Sequence, residues 1–252
     1  MVELTLIFPA FNEAARIETT LREAIAYLER KQLTFEIIVS ADGTDGTREI
    51  VRRIASTDRR LRVIGSNERK GKGRGVREAV ALANGRIIGF ADADNKVPID
   101  ELDNFLSALN EGELVVIGSR ALCASRIERR QPWYRRIGAR VFTVFLHSIV
   151  GVLASDTQCG FKFFTREAAK AIFDLQRIDG YMFDVELLAI ASMLGYPVRE
   201  IPVRWRDDND SRLQLVSGTI RNGIDLFRIR WYLLGTKSEL ACTKAVPERT
   251  PE

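Results

Sequence analysis

Two aspartates one residue apart, Asp92 and Asp94, follow the apolar run at residues 86–91. Carboxylates at i and i+2 leaving a sheet can share one hard cation. Mg2+ and Mn2+ take such oxygen ligands together with substrate phosphates. A cation held there neutralises the charge that develops on a departing nucleoside diphosphate. The same residues have a plainer use, since Asp94 or Asn95 can cap a helix beginning near Pro98. Upstream, the string PAFNE at residues 9–13 follows another apolar run. Pro9 is expected to stop that strand, Phe11 offers an aromatic face, and Glu13 sits in the first turn of a helix, where an acid also simply complements the dipole. In SADGTDGT at residues 40–47, Asp42 can accept a hydrogen bond from a base N–H, while Asp45 or Thr44 suits a helix cap. KGKGRG at residues 70–75 places Lys72 between glycines before a helix. Such a turn can cradle a diphosphate, and it can equally be a flexible basic loop. His147 is the only histidine and lies in an apolar helical stretch, which suits packing rather than catalysis.

The elements that must position these residues alternate in the first 120 residues. Strands are expected at residues 4–8, 35–39, 61–64, 86–91 and 114–117. Helices are expected at 13–30, 44–55 and 75–83, the first with Ile17, Leu21, Ala24, Ile25 and Leu28 on one face. Short apolar strands separated by helices predict an α/β fold with a mostly parallel sheet covered on both faces. The polar loops then lie at strand ends, where open α/β sheets bind ligands. The second half predicts a long amphipathic helix at 131–153, a loop at 156–160, helices from 166 and at 184–194, a strand at 197–205 and a final amphipathic helix at 216–234. A single domain over residues 1–235 is expected, with a donor half to residue 120, an acceptor half beyond it, and a polar tail at 236–252.

Composition narrows the function classes. The 252 residues carry a net charge of +4, too little to argue for a nucleic-acid partner. Charge is concentrated instead: residues 120–140 hold seven arginines against one acid, Glu128. That block suits phosphate or an anionic membrane surface, or a solvated helix face. Cys123, Cys159 and Cys242 are widely spaced with no paired motif, so a reducing cytoplasm fits and a zinc site does not. No signal peptide is expected at the N-terminus. The longest apolar stretch, residues 141–154, is shorter than the ~20 residues that cross a bilayer. Trp133 and Trp231, expected at helix ends, suit an interfacial role or ordinary packing.

Taken in order, PAFNE, ADGTDGT and DAD, each after a strand, resemble family 2 glycosyltransferases of the Rossmann-like GT-A fold. The resemblance implies that Pro9, Phe11, Glu13 and Asp42 hold the nucleoside, with Lys72 nearby. It also implies that Asp92 and Asp94 hold a divalent metal and the diphosphate. Ala41 departs from the pattern, which often has a second Asp there. GSRA at 118–121, DTQCGFKFFTREAA at 156–169, FDVELL at 183–188 and SRL at 211–213 resemble dolichyl-phosphate glucosyltransferases, and more loosely dolichol-phosphate mannose synthases. The likeness covers residues 4–230 and implies a UDP-glucose donor and a polyprenyl or dolichyl phosphate acceptor. It further implies peripheral contact with the cytoplasmic membrane face through amphipathic helices. A homodimer is a further possibility.

A lipid phosphate is an anion near neutral pH and needs little help from a base. Arginine forks suit its oxygens. By resemblance Arg120 and Arg206 grip it, with Arg135 and Arg212 as further candidates. A hydroxyl acceptor would instead need a carboxylate base, for which Asp184 is the candidate. A GDP-mannose donor and a catalytically inactive binding module are the remaining alternatives.

Overall fold

A computed structural model describes residues 2–128, 144, 146–206 and 217–244, the last helix with its side chains over 222–236. Strands β1 (Leu4–Phe11), β2 (Phe35–Asp42), β3 (Leu61–Ile64) and β4 (Ile87–Ala91) alternate with helices α1 (Ile17–Arg30), α2 (Thr47–Ala55) and α3 (Lys72–Ala81). A 3-10 turn (Ile99–Glu101) and α4 (Leu102–Asn110) lead to β5 (Val115–Ser119) and the two-residue β6 (Arg126–Ile127). The chain continues through β7 (Phe161–Thr165), α5 (Arg166–Leu175), α6 (Phe183–Met193), β8 (Val198–Pro202), β9 (Arg204–Trp205) and α7 (Ser217–Lys244).

Seven strands form one sheet in the order β3-β2-β1-β4-β7-β5-β8, parallel except for β7. Side chains alternate between its faces. Leu6, Phe8, Ile37, Val39 and Phe163 pack with α1, α2 and α4 in one core, whereas Ile7, Ile38, Phe90 and Phe164 pack with α3, α5, α6 and α7 in the other. The central strands are therefore apolar on both faces, as in a sheet covered on both sides.

The structure changes several expectations. Pro9 does not stop β1, which runs to Phe11. Pairing with β4 ends at Ile7 while pairing with β2 continues to Phe11, so Pro9 lies where a missing N–H is tolerated. The helices start later than expected at Ile17 and Thr47, because residues 12–16 and 43–46 are held as loops. The Asp45 carboxylate accepts from Ala14 N–H at 2.9 Å and from Thr47 N–H at 3.1 Å, tying the two loops together. The strand β7 was not expected at all: FKFFT inserts antiparallel between β4 and β5.

The expected helix at 131–153 lies mostly outside the described residues, including Trp133, Arg135, Phe142 and Phe145. Its described end is helical at 146–150, with Leu146 packed in the core. The last helix extends to Lys244, well into the expected polar tail, so Trp231 sits mid-helix rather than at an end. Residues 217–244 contain no segment long and apolar enough to cross a membrane, nor does any other described helix.

Candidate active site

The C-terminal ends of β1, β2 and β4 meet at one edge of the sheet, the position where open α/β sheets bind ligands. Phe11 and Asp42 are register partners there. Arg69 lays its guanidinium 4.4 Å from the Phe11 ring centroid. Asp42 accepts from Ser66 N–H at 3.2 Å and from Lys70 N–H at 2.7 Å, so it organises the loop after β3. Arg48 braces this region from below. Its buried guanidinium donates to the carbonyls of Ala41 (3.0 Å), Gly43 (2.9 Å) and Ser66 (2.5 Å) and to the Asn67 side chain. Five donors in a rigid fork suit a junction of several carbonyls.

Next to this ledge lies a chain of alternating charges. The Lys72 ammonium stands 2.7 Å from Asp92 Oδ1 and 3.7 Å from Asp184 Oδ2. Asp184 also pairs with Lys162, which donates to the Cys159 carbonyl at 2.7 Å and has no exposed surface. Phe90 and Phe183 rings flank Lys72. Burial alone would lower the Lys72 ammonium, but the charges of Asp92 and Asp184 outweigh it and hold it above its ordinary value. Lys162 occupies the middle of β7, opposite Phe90 and Ile117, and points to the face where α6 carries Asp184.

Asp92 N–H donates to the Gly160 carbonyl at 3.0 Å, and the Asp92 carboxylate lies where a Cβ on residue 160 would be. Any side chain at residue 160 would displace the Asp92 carboxylate, and glycine leaves it in place. Asp94 lies within 3.3 Å of Lys96 Nζ. Its carboxyl is raised above the usual range by burial and by the charge of Asp92, with Lys96 opposing. The Thr20 hydroxyl donates to the Ala93 carbonyl at 2.8 Å and so fixes the residue between the two acids. Two mutually repelling carboxylates suit a divalent cation. Among the described residues no cluster of three or more acidic, histidine or cysteine side chains completes a cage. Mg2+ or Mn2+ held there would take waters and substrate phosphates as its remaining ligands.

Beyond Asp94 opens a cleft of about 360 Å³ lined by Arg16, Thr19, Thr20, Asp94, Lys96 and Arg206. Arg206 N–H donates to the Lys96 carbonyl at 2.8 Å, which joins β9 to the acidic loop. Arg120 behaves differently. It grips buried Asp156 with two nitrogens at 2.6 and 2.9 Å and packs against the Trp205 ring. Burial would raise Asp156, but Arg120 more than offsets it and holds the carboxyl below its usual range. Burial and Asp156 push the neighbouring Cys159 thiol up to about 12, so it stays protonated.

Residues 5–173 match the family model for Glycosyl transferase family 2. The chain belongs to that family. Dolichyl-phosphate beta-glucosyltransferase ALG5C of Trichomonas vaginalis is 38% identical over 245 residues, covering 92% of this chain and 72% of that protein. The human dolichyl-phosphate beta-glucosyltransferase is 32% identical, covering 92% and 76%. The GT-A fold is shared with glucosyl-3-phosphoglycerate synthase of Mycobacterium tuberculosis, solved with Mn2+, UDP and glucosyl-3-phosphoglycerate. That structure has a TM-score of 0.65 at 21% identity, over 91% of this chain and 80% of that one. Mannosyltransferase PcManGT of Pyrobaculum calidifontis, solved with GDP-Man and Mn2+, aligns with a TM-score of 0.58 at 23% identity, over 97% and 76%.

In this family 2 glycosyltransferase the structure brings Phe11, Asp42, Lys72, Asp92, Asp94 and Asp184 to one edge of the sheet. Pro9 lies inside β1 and Glu13 in the loop held by Asp45, where Glu13 N–H donates to the Thr47 hydroxyl at 3.0 Å. Arg120 and Arg206 approach from the second half, and Arg135 and Arg212 lie outside the described residues. The α3 glycines do not present free N–H groups as a phosphate cradle. Gly73 and Arg74 donate to the Asp179 carbonyl at 2.9 and 3.3 Å, and a Cβ at Gly73 would collide with Ile178 and Phe183. Sequence reasoning missed Lys162, Asp156, Gly160, Thr20 and Arg48. A lysine inside an apolar strand and the acid in DTQCGFK were the available signals.

Proposed function

We propose that this chain transfers glucose from UDP-glucose to dolichyl phosphate or a related polyprenyl phosphate, with inversion at the anomeric carbon, at the cytoplasmic face of a membrane. The names of its relatives support this acceptor and sugar. The observation that carries the choice of a phosphate acceptor is the state of Asp184. It is buried, hydrogen-bonded to Lys162 and 3.7 Å from the Lys72 ammonium, so it already serves as the counter-ion of two lysines. A hydroxyl acceptor requires a base within reach of its proton. A phosphate monoester is already anionic and requires none.

In this reading Phe11 and Asp42 frame the nucleoside and Lys72 turns from Asp92 towards the donor diphosphate. Asp92 and Asp94 would hold Mg2+ or Mn2+. When bound, that cation stabilises the diphosphate that departs. Arg206, Lys96 and Arg16 surround the cleft beside Asp94 and place positive charge where the acceptor phosphate enters. Arg120, held by Asp156, packs against the Trp205 ring, which Lys96 of the cleft also approaches. Direct attack by the phosphate oxygen on the donor sugar gives a β-linked product from an α-linked donor.

The membrane contact rests on α7. Leu226 and Ile229 face the core, whereas Ile224, Phe227, Trp231 and Leu234 form an exposed stripe, Phe227 at 61% and Trp231 at 83% exposure. Their spacing of three and four residues puts them on one helix face. An apolar stripe with an exposed tryptophan suits the headgroup boundary of a bilayer. Vesicles containing anionic lipid should carry the protein on flotation, and Trp231→Asp should release it. A stripe that instead buries in a second copy would appear as a dimer by sedimentation, dissolved by the same change.

The deciding assay offers radiolabelled UDP-glucose and GDP-mannose to short polyprenyl phosphates and to the matching alcohols. Label should pass into organic solvent with UDP-glucose and the phosphate. Preference for GDP-mannose, or transfer to the alcohol at equal rate, would refute the reading.

A further inference from the structure

The mechanism leaves Glu186 unused, although it is 1% exposed and charged groups are seldom buried without a task. Glu186 lies on the first turn of α6, two residues after Asp184. Its two carboxylate oxygens accept from Arg177 N–H and Ile178 N–H, both at 2.8 Å. The loop they hold is braced further. The buried Gln176 side chain donates to the Ile178 carbonyl at 2.6 Å. Arg77 pairs with Asp179 at 2.7 Å and donates to the Gln176 carbonyl at 3.4 Å.

This bracing has a target. The next carbonyl, that of Asp179, receives the N–H groups of Gly73 and Arg74 at the start of α3. Gly71, the residue before the helix, supplies no side-chain cap, so the Asp179 carbonyl satisfies donors that an N-cap side chain would otherwise serve. Gly71 and Gly73 allow the approach, since a Cβ at either would strike the backbone of residues 178–179. Lys72 stands between them. Its ammonium meets Asp92 and Asp184, while its backbone rests on the loop that Glu186 holds. The first turn of α6 therefore grips Lys72 at both ends.

We propose that Glu186 is a positioning residue for Lys72, acting through the backbone of residues 177–179 and the capped start of α3. This rests on the reading above that Lys72 meets the donor diphosphate, and the test separates the two. Glu186→Gln replaces one acceptor oxygen with an NH2 that faces a backbone donor. Hydrogen exchange at the amides of Gly73 and Arg74 should speed up by roughly 3- to 30-fold, the value of a lost cap, with α4 unchanged. Affinity for UDP, measured calorimetrically, should fall by roughly 10-fold, as for other supporting contacts behind a ligating group. In a Lys72→Met background the same change should alter UDP affinity less than about twofold, because no ammonium remains to position. Arg77→Gln loosens the loop from its exposed side and should act in the same direction, which guards against misfolding of the buried variant. Unchanged exchange at Gly73 and Arg74, exchange rising equally across α1, α3 and α4, or an undiminished effect on UDP in the Lys72→Met background overturns the inference. Faster local exchange with normal UDP affinity supports the positioning and overturns the placement of Lys72 at the diphosphate.

Discussion

Gly160→Ala tests the placement of Asp92 more sharply than mutation of Asp92 itself. A Cβ at residue 160 would lie no more than 2.5 Å from any atom of the Asp92 carboxyl group. Ordinary contacts need at least about 3 Å, so the carboxylate must retreat by about 1 Å or rotate away. Room exists on the solvent side, because the Asp92 side chain is 41% exposed. The movement breaks the 2.7 Å contact with Lys72 and takes one of two proposed metal ligands out of place. A misplacement of about 1 Å in a reacting constellation costs roughly 100-fold in rate, or about 2.7 kcal/mol.

Stability should move far less. Gly160 is not among the residues with positive φ, so alanine meets no backbone strain. The gain from a stiffer unfolded chain, about 0.4–1 kcal/mol, roughly offsets a weakened ion pair that is partly exposed. The melting temperature should therefore shift by no more than about 4 °C. Initial rates with radiolabelled donor and a thermal melt on the same preparation give both numbers. In an Asp92→Asn background, Gly160→Ala should cost less than about twofold, since the carboxylate it displaces is already lost. Activity above half that of the unaltered protein, or full additivity of the two changes, would refute the contact as a functional one.

Three further outcomes follow from the same geometry. Asp92→Asn or Asp94→Asn should abolish transfer with little change in the melt, and EDTA should reproduce the loss; full activity in EDTA would remove the metal from the reading. Asp184→Asn should destabilise the fold by about 3–5 kcal/mol, because Lys162 would remain buried without its carboxylate, whereas Asp184→Leu with Lys162→Met should recover most of that loss. A single variant that melts like the parent would show that Lys162 finds another partner. Burial raises the Glu186 carboxyl from 4.5 to about 7 against its two backbone hydrogen bonds and the charges of Arg77 and Arg177. Between those values the folded chain binds more protons than the unfolded one. Stability should therefore fall by on the order of 2–3 kcal/mol as pH rises from about 4.5 to 7 and then level off. Glu186→Gln should flatten that part of the profile of melting temperature against pH, and an unchanged slope would locate the proton elsewhere.

Which parts of this site can be read from sequence depends on how far the interaction reaches along the chain. Asp92 and Asp94 are legible because an apolar strand and its polar exit are contiguous. Phe11 and Asp42 are legible as a pair because two parallel strands of similar length end at the same edge of a sheet. The string FDVELL points to Asp184 but not to its counter-ion. Its partner Lys162 lies 22 residues earlier, inside FKFF, and becomes a partner only because β7 inserts antiparallel beside β4. Period-two alternation turns Phe161 and Phe163 to one face and Lys162 to the other, so the strand that was not expected supplies the ammonium that pairs with Asp184. The same holds for Arg120. A basic residue at a strand end suggests a phosphate grip, and its partner is invisible in the local string: Asp156, 36 residues later, meets the Nε–Nη2 edge of its guanidinium. Helix starts fail for a related reason. Periodicity predicts α1 from residue 13, but Asp45 draws Ala14 into a loop that no local pattern encodes. In each case the local propensity is correct for the segment alone, and a polar contact across the sheet edge decides the outcome. Those contacts concentrate where ligands bind, because a charged group buried for chemistry must be neutralised by a partner from another element. What the sequence leaves unseen at this site is therefore chiefly the counter-charges, Lys162 for Asp184 and Asp156 for Arg120.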